Sequence, residues 1–143
     1  YVDAERIGIW GWSYGGYLTA LTLMQGGDLF AAGVAVAPVT DWRLYDTIYT
    51  ERFMRTPQEN PEGYESSAPL NQVDGLASEF LLIHGTADDN VHFQNSVVLA
   101  EALQRAGKQF DFMMYPNQNH SIGARGAPLH LFTLITEWLT ENL

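Results

Sequence analysis

The apolar positions of the chain switch repeatedly between two patterns. Arg6–Gly11 (R-I-G-I-W-G) is a short apolar run that predicts a strand, and Tyr14–Gln25 follows as a helix ended by Gly26-Gly27. Ala31–Ala37 (A-A-G-V-A-V-A) is apolar on both faces, the pattern of a strand in a parallel sheet covered on two sides. Ser78–His84 repeats that character. His92–Ala106 carries Leu99, Ala102, Leu103 and Ala106 at helical spacing and stops at Gly107. Gln109–Tyr115 is the last β-type run, closed by Pro116. Leu129–Leu143 then places Phe132, Ile135, Trp138 and Leu139 on one face of an amphipathic helix. Strands alternating with helices predict an α/β fold, a parallel sheet flanked by helices.

One stretch breaks the alternation. Asp41–Ala77 is long, holds Pro57, Pro61 and Pro69, and is rich in rings (Trp42, Tyr45, Tyr49, Phe53, Tyr64). A connection of that length in a compact domain usually serves a site, so short helices and a loop over the sheet edge are expected. No repeat or linker divides residues 1–143, which read as one domain.

Composition narrows the chemistry. A formal net charge of −10, with Lys108 the only lysine, argues against nucleic acid, which needs a basic face. No apolar run approaches the roughly 20 residues of a membrane span. With no cysteine in the chain, thiol catalysis, disulfides and Cys-based zinc sites are excluded. No cofactor is expected. The compartment stays open, with periplasmic, cell-surface and secreted placement of a longer parent all compatible.

Gly11-Trp12-Ser13-Tyr14-Gly15 is G-x-S-x-G between a predicted strand and a predicted helix. A nucleophile elbow needs that setting: the turn is so sharp that the serine backbone is strained and small neighbours must let strand and helix approach. It lifts the Ser13 hydroxyl clear of the sheet and aims the Tyr14 N–H, at the helix N-terminus, towards a developing oxyanion. A serine hydroxyl needs a base to take its proton, and the base needs an orienting acid. In such folds the order is Ser, acid, His, each on a loop after a later strand. Here Asp88-Asp89 follow the strand ending at His84, and His120 follows the strand ending at Tyr115. Ser13 is therefore the candidate nucleophile and His120 the candidate base. One aspartate of the pair is the orienting acid, and the other is a charge before the next helix.

The other histidines read differently. His84 ends a buried strand as a core or loop-anchoring residue, His92 begins a helix, and His130 lies near the start of the last one. A metal held by His84, Asp88, Asp89 and His92 is set aside, because Gly85 and the strand-to-loop change break any common helical face. Asn119-His120-Ser121 matches a glycosylation sequon, but a glycan there would block the base. Tyr14, Val39, Trp42, Tyr45 and Tyr49 gather by the elbow and the loop after the second strand, with Trp42, Tyr45 and Tyr49 spaced for one helical face. A ring-lined slot suits a compact apolar side chain, proline above all.

The segments Trp10–Tyr17 (W-G-W-S-Y-G-G-Y), Val36–Val39, Tyr49–Phe53 and above all Leu82–Phe93 (L-I-H-G-T-A-D-D-N-V-H-F) resemble the prolyl oligopeptidase family of serine peptidases, in its dipeptidyl-peptidase branch. The resemblance covers essentially the whole chain. It implies the C-terminal half of an α/β-hydrolase fold and a triad of Ser13, Asp88 and His120, with the Tyr14 N–H in the oxyanion hole. It further implies a pocket of Tyr14, Val39, Trp42, Tyr45, Tyr49 and Val91 for a penultimate proline or alanine, and Asn90 on the carbonyl of the substrate's first residue. The implied activity is release of N-terminal X-Pro or X-Ala dipeptides through an acyl-enzyme. A related acylaminoacyl peptidase or esterase is the alternative. The resemblance also implies parts this chain does not supply: the earlier half of the sheet, a β-propeller with paired glutamates, and a tyrosine hydroxyl as second oxyanion donor. An isolated fragment would then be inactive. Asn119 and Ser121 depart from the acidic residue and glycine often found there. A homodimeric parent using the last helix fits Leu129–Leu143.

Overall fold

The computed structural model describes residues 3–27, 29–124 and 126–143. Its strands are β1 (Gly8–Trp12), β2 (Ala32–Val36), β3 (Glu79–Gly85) and β4 (Asp111–Tyr115). Its α-helices are α1 (Tyr14–Met24), α2 (Thr47–Met54), α3 (Pro61–Ser66), α4 (Gln94–Arg105) and α5 (Ala127–Asn142). The strands pair in chain order, all parallel, with Trp10 opposite Val34, Val34 opposite Leu81, and Leu81 opposite Asp111.

Every residue of β2 is buried, and successive side chains serve opposite layers. Val34, Val36, Leu81 and Ile83 meet Leu131, Ile135 and Trp138 of α5 on one face. Ala35, Phe80 and Leu82 meet Leu23 and Met24 of α1 and Leu99 and Leu103 of α4 on the other. Each fully buried Leu or Ile contributes about 1.5–3 kcal/mol, so the two layers hold the sheet between them. Trp138 also donates its indole N–H to Asp111 Oδ2 at 2.7 Å, tying α5 to the edge strand β4.

Phe132 departs from expectation. It is half exposed, and its ring meets Trp10 of β1 edge-on, with centroids 6.5 Å apart. The buried line of α5 runs through Leu131, Ile135 and Trp138; one residue on, a helix has turned by about 100°, so Phe132 points away from that line.

The 41–77 segment is, as the sequence suggests, a set of short helices and turns: 3-10 turns at Trp42–Leu44, Pro69–Asn71 and Val73–Gly75 surround α2 and α3. Trp42, Tyr45 and Tyr49 do not share one helical face, however. The Asp41 carboxylate starts the first turn by accepting from Arg43 N–H, the chain extends at Tyr45, and Asp46 restarts helix α2 by accepting from Tyr49 N–H. Two N-caps in succession break the helix that the spacing suggests. A third buried cluster (Tyr17, Val39, Trp42, Tyr64, Val91) forms under this segment, at the carboxyl ends of the strands.

Candidate active site

Ser13 is the single residue between β1 and α1, with φ 58° and ψ −118°. That region costs a non-glycine residue about 1–3 kcal/mol, and the surroundings enforce it. Ser13 N–H donates to Val36 C=O at 2.8 Å, while its own C=O receives Tyr17 N–H at 2.9 Å, so both sides of the corner are fixed. Tyr14 is the first helical residue, and its N–H has no acceptor within the helix. The elbow is close-packed, but not as the motif implies. A Cβ on Gly11 would run into the backbone of Gly15, and one on Gly16 would stand 2.7 Å from Val36 O, whereas Gly15 itself faces open space. Gly11 and Gly16 are the glycines the turn requires; the motif's final glycine is not sterically forced.

Asp88 and His120 come together at the ends of β3 and β4. Gly85 makes this possible: any side chain there would strike the backbone of Gln118 and Asn119. His120 Nδ1 lies 2.7 Å from Asp88 Oδ2. The carboxylate can only accept, so Nδ1 carries the hydrogen and Nε2 is left as the free, basic nitrogen. The opposite oxygen, Oδ1, accepts the N–H groups of Asn90 and Val91 at 3.0 Å each. Burial raises the Asp88 pKa, but the hydrogen bonds from His120, His84 and Asn90 and the His120 charge outweigh it and hold the carboxyl well below the usual carboxylate range. Asp89 is exposed and precedes α4, as expected of a charge before the helix, though the first turn of α4 itself holds no acidic residue.

Trp12, next to Ser13, donates its indole N–H to the backbone C=O of His120 at 3.0 Å. This clip brings the His120 loop to the elbow. Among the described residues no hydrogen bond joins Ser13 Oγ to His120; the structure places the two on adjoining segments without closing the bond between them.

Ser13, Tyr14, Val39, Trp42, Tyr45 and Tyr49 line a cavity of about 150 Å3. Ligand pockets usually enclose about 300–1,000 Å3; this slot is smaller, and a second cavity of about 350 Å3 shares Tyr14, Trp42 and Tyr49 with it. Trp42 and Tyr49 stack at 25° with centroids 5.9 Å apart, and Tyr45 stands edge-on to both. The Tyr45 hydroxyl donates to Asn90 Oδ1 at 2.6 Å. Burial, then the charges of Asp46, Tyr49 and Asp88, push its phenol pKa up, which keeps it a donor. Val91 is fully buried beside Val39 and Trp42, behind the wall rather than on it. Asn90 lies outside the slot, on a neighbouring polar groove with Arg43, Asp46, Asp89 and His92.

Three supports have no signature in the sequence. The Trp12 clip is one. Another is Asn95 of α4, fully buried, whose Oδ1 accepts from Thr40 N–H at 2.9 Å and whose C=O accepts from Thr40 Oγ1 at 2.8 Å; this pins the loop carrying Val39 and Trp42. The last is His84. It is the buried loop anchor that its position suggests, yet it also contacts Asp88 at 3.1 Å. The described residues hold no cluster of three or more His, Cys, Asp or Glu suited to a metal ion.

A model of the prolyl oligopeptidase family (peptidase S9) matches residues 1–143. A relative from Neurospora crassa named "Probable dipeptidyl-aminopeptidase B" is 55% identical over 145 residues, 99% of this chain and 16% of that protein. One of the same name from Metarhizium robertsii is 51% identical over 144 residues, again 99% and 16%. The crystal structure of Porphyromonas gingivalis dipeptidyl peptidase 4 matches with a TM-score of 0.98 at 52% identity, over 100% of this chain and 20% of that one. The chain thus spans about a sixth of the length of the curated relatives it matches. The four-stranded parallel sheet with helices on both faces is part of an α/β-hydrolase fold. By sequence, by fold and by the elbow at its first strand, the chain belongs to the prolyl oligopeptidase family.

Proposed function

We propose that the chain supplies the nucleophile, base and acid of a serine exopeptidase that releases X-Pro or X-Ala dipeptides from peptide N-termini. The observation that carries this reading is the Asp88–His120 pair, bonded at 2.7 Å with Nε2 left free, clipped by Trp12 to the segment that presents Ser13 beside a ring-lined slot. In the first step His120 Nε2 takes the Ser13 hydroxyl proton as Oγ bonds to the substrate carbonyl carbon, and the oxyanion turns towards Tyr14 N–H. His120 then returns the proton to the departing amine as the peptide bond breaks, leaving an acyl-Ser13. Water, deprotonated by the same nitrogen, releases the dipeptide acid and restores the serine. Asp88 keeps the imidazole in the required tautomer and stabilises the imidazolium, for which a carboxyl held ionised is suited. The relatives' printed names, dipeptidyl-aminopeptidase and dipeptidyl peptidase, support the substrate class.

The slot favours a flat, compact penultimate residue, and its lack of a deep polar anchor would let alanine in as well as proline. The single oxyanion donor, Tyr14 N–H, and the open Ser13–His120 gap favour a chain that works only as part of a larger catalytic unit. The test is turnover by the full-length protein that carries this chain. Gly-Pro-anilide should be cleaved far faster than simple aryl esters; a preference for esters or for N-acylated amino acids would replace the dipeptidyl reading with the esterase or acylaminoacyl one.

A further inference from the structure

We propose that His84, with its tautomer set by the Val91 carbonyl, is a positioning residue for the Asp88–His120 pair, holding the Asp88 carboxylate in the plane from which Oδ2 meets His120. The proposal rests on the reading of Ser13, His120 and Asp88 as a triad.

His84 is fully buried, and both ring nitrogens are occupied. Nε2 stands 2.9 Å from Val91 O and 3.1 Å from Asp88 Oδ2. A carbonyl oxygen cannot donate, so Nε2 carries the hydrogen and shares it between the two. Nδ1 then accepts the hydroxyl hydrogen of Ser96, a fully buried residue of α4, at 2.6 Å. Phe93 packs edge-on against the ring, with centroids 5.6 Å apart.

A histidine serving only as core filler would satisfy its nitrogens anywhere. Here the second nitrogen goes to the oxygen that His120 uses. With Oδ1 fixed by Asn90 and Val91 N–H, the carboxylate has one remaining freedom, rotation about that anchor, and the His84 hydrogen bond on Oδ2 removes it. The same bond takes part of the charge on Oδ2, so less of it falls on His120 Nδ1–H. The titratable groups around Asp88 are His84 from β3, His120 from the loop after β4 and Tyr45 beside α2. Ser96 of α4 and Phe93, just before it, do not titrate, and no Lys or Arg pairs with Asp88 among the described residues.

The variants separate positioning from folding. His84→Asn keeps an amide near the Nδ1 position but removes the donor to Asp88, while His84→Gln restores a donor near the Nε2 position. In the full-length protein, kcat/KM for Gly-Pro-anilide is measured from about pH 5 to 9, with folding checked by thermal melting. His84→Asn should lower kcat by about 10- to 100-fold through a misplaced base. Its acid limb should move to higher pH by about half a unit to one unit, because His120 then faces the undivided carboxylate charge. His84→Gln should return the limb towards the parental value. An unshifted limb in folded His84→Asn, or a His84→Gln enzyme no different from it, overturns the proposal. Should His84→Asn not fold, His84→Leu, which removes the donor to Asp88 while filling the space, decides: a limb moved to higher pH supports the proposal, and an unshifted limb overturns it. His120→Ala, measured alongside, addresses the triad alone; activity surviving it refutes that reading, and this one with it, whatever the His84 variants do.

Discussion

Gly16→Ala tests whether the elbow is held by the close approach of α1 to β2. The new methyl would lie 2.7 Å from Val36 O, about 0.7 Å short of an ordinary 3.4 Å contact, and the atom it meets is backbone at the end of the interior strand β2. β2 and α1 must separate to admit it. Overpacking of this kind costs about 1–3 kcal/mol. Val36 O is also the acceptor for Ser13 N–H at 2.8 Å, so the displacement weakens a second bond, worth about 0.5–1.5 kcal/mol. Against this stands a gain of about 0.5–1 kcal/mol from replacing a helical glycine. The net expectation is a loss of about 1–3 kcal/mol, or roughly 2–12 °C in melting temperature at about 2–4 °C per kcal/mol. Activity should fall as well, since the corner that aims the hydroxyl moves with Val36. Gly15→Ala is the control: nothing lies within 4 Å of its Cβ, and its φ is not positive, so its melting temperature should hold or rise slightly. Equal destabilisation by the two substitutions, or none by Gly16→Ala, would refute the packing argument.

Asn95→Ala should cost about 1–3 kcal/mol in urea unfolding, because it leaves the buried Thr40 N–H without an acceptor; a change under about 0.5 kcal/mol would mean that the loop carrying Val39 and Trp42 is held otherwise. Asp88 also predicts a pH dependence of stability. Its folded pKa lies below the unfolded carboxylate value of about 4, so its contribution is complete above that pH and is lost as pH falls through and below it. Asp88→Asn should flatten that part of the curve, and an unchanged acid limb of stability would contradict the hydrogen-bonded carboxylate described above.

Much of this was legible in residue order because the signals are local. The elbow is written in five consecutive residues, and the loops holding Asp88 and His120 announce themselves by following strands. What reached across the chain was not legible. The Trp12–His120 clip spans 108 positions and the Thr40–Asn95 clamp 55, and neither residue type reveals its partner before the strands are set side by side. The helix misread at Trp42, Tyr45 and Tyr49 had a visible correction: Asp46 before T-I-Y is an N-cap, and a cap inside an apparent helix starts a new one. Phe132 misled because its separation from Ile135 suits a common face, while tertiary packing selected Leu131. The position of His84 at the end of a buried strand predicts its burial, but its bond to Asp88 depends on the turn geometry at Gly85–Val91.

The proposed convergence of hydroxyl, imidazole and carboxylate is tested most directly by labelling the full-length protein with a fluorophosphonate and mapping the modified residue. Rapid, stoichiometric reaction at Ser13, slowed by about 10³-fold or more in His120→Ala, is the expected result, since an unassisted serine hydroxyl reacts poorly. Modification of a different serine, or labelling of Ser13 at the same rate without His120, would contradict it.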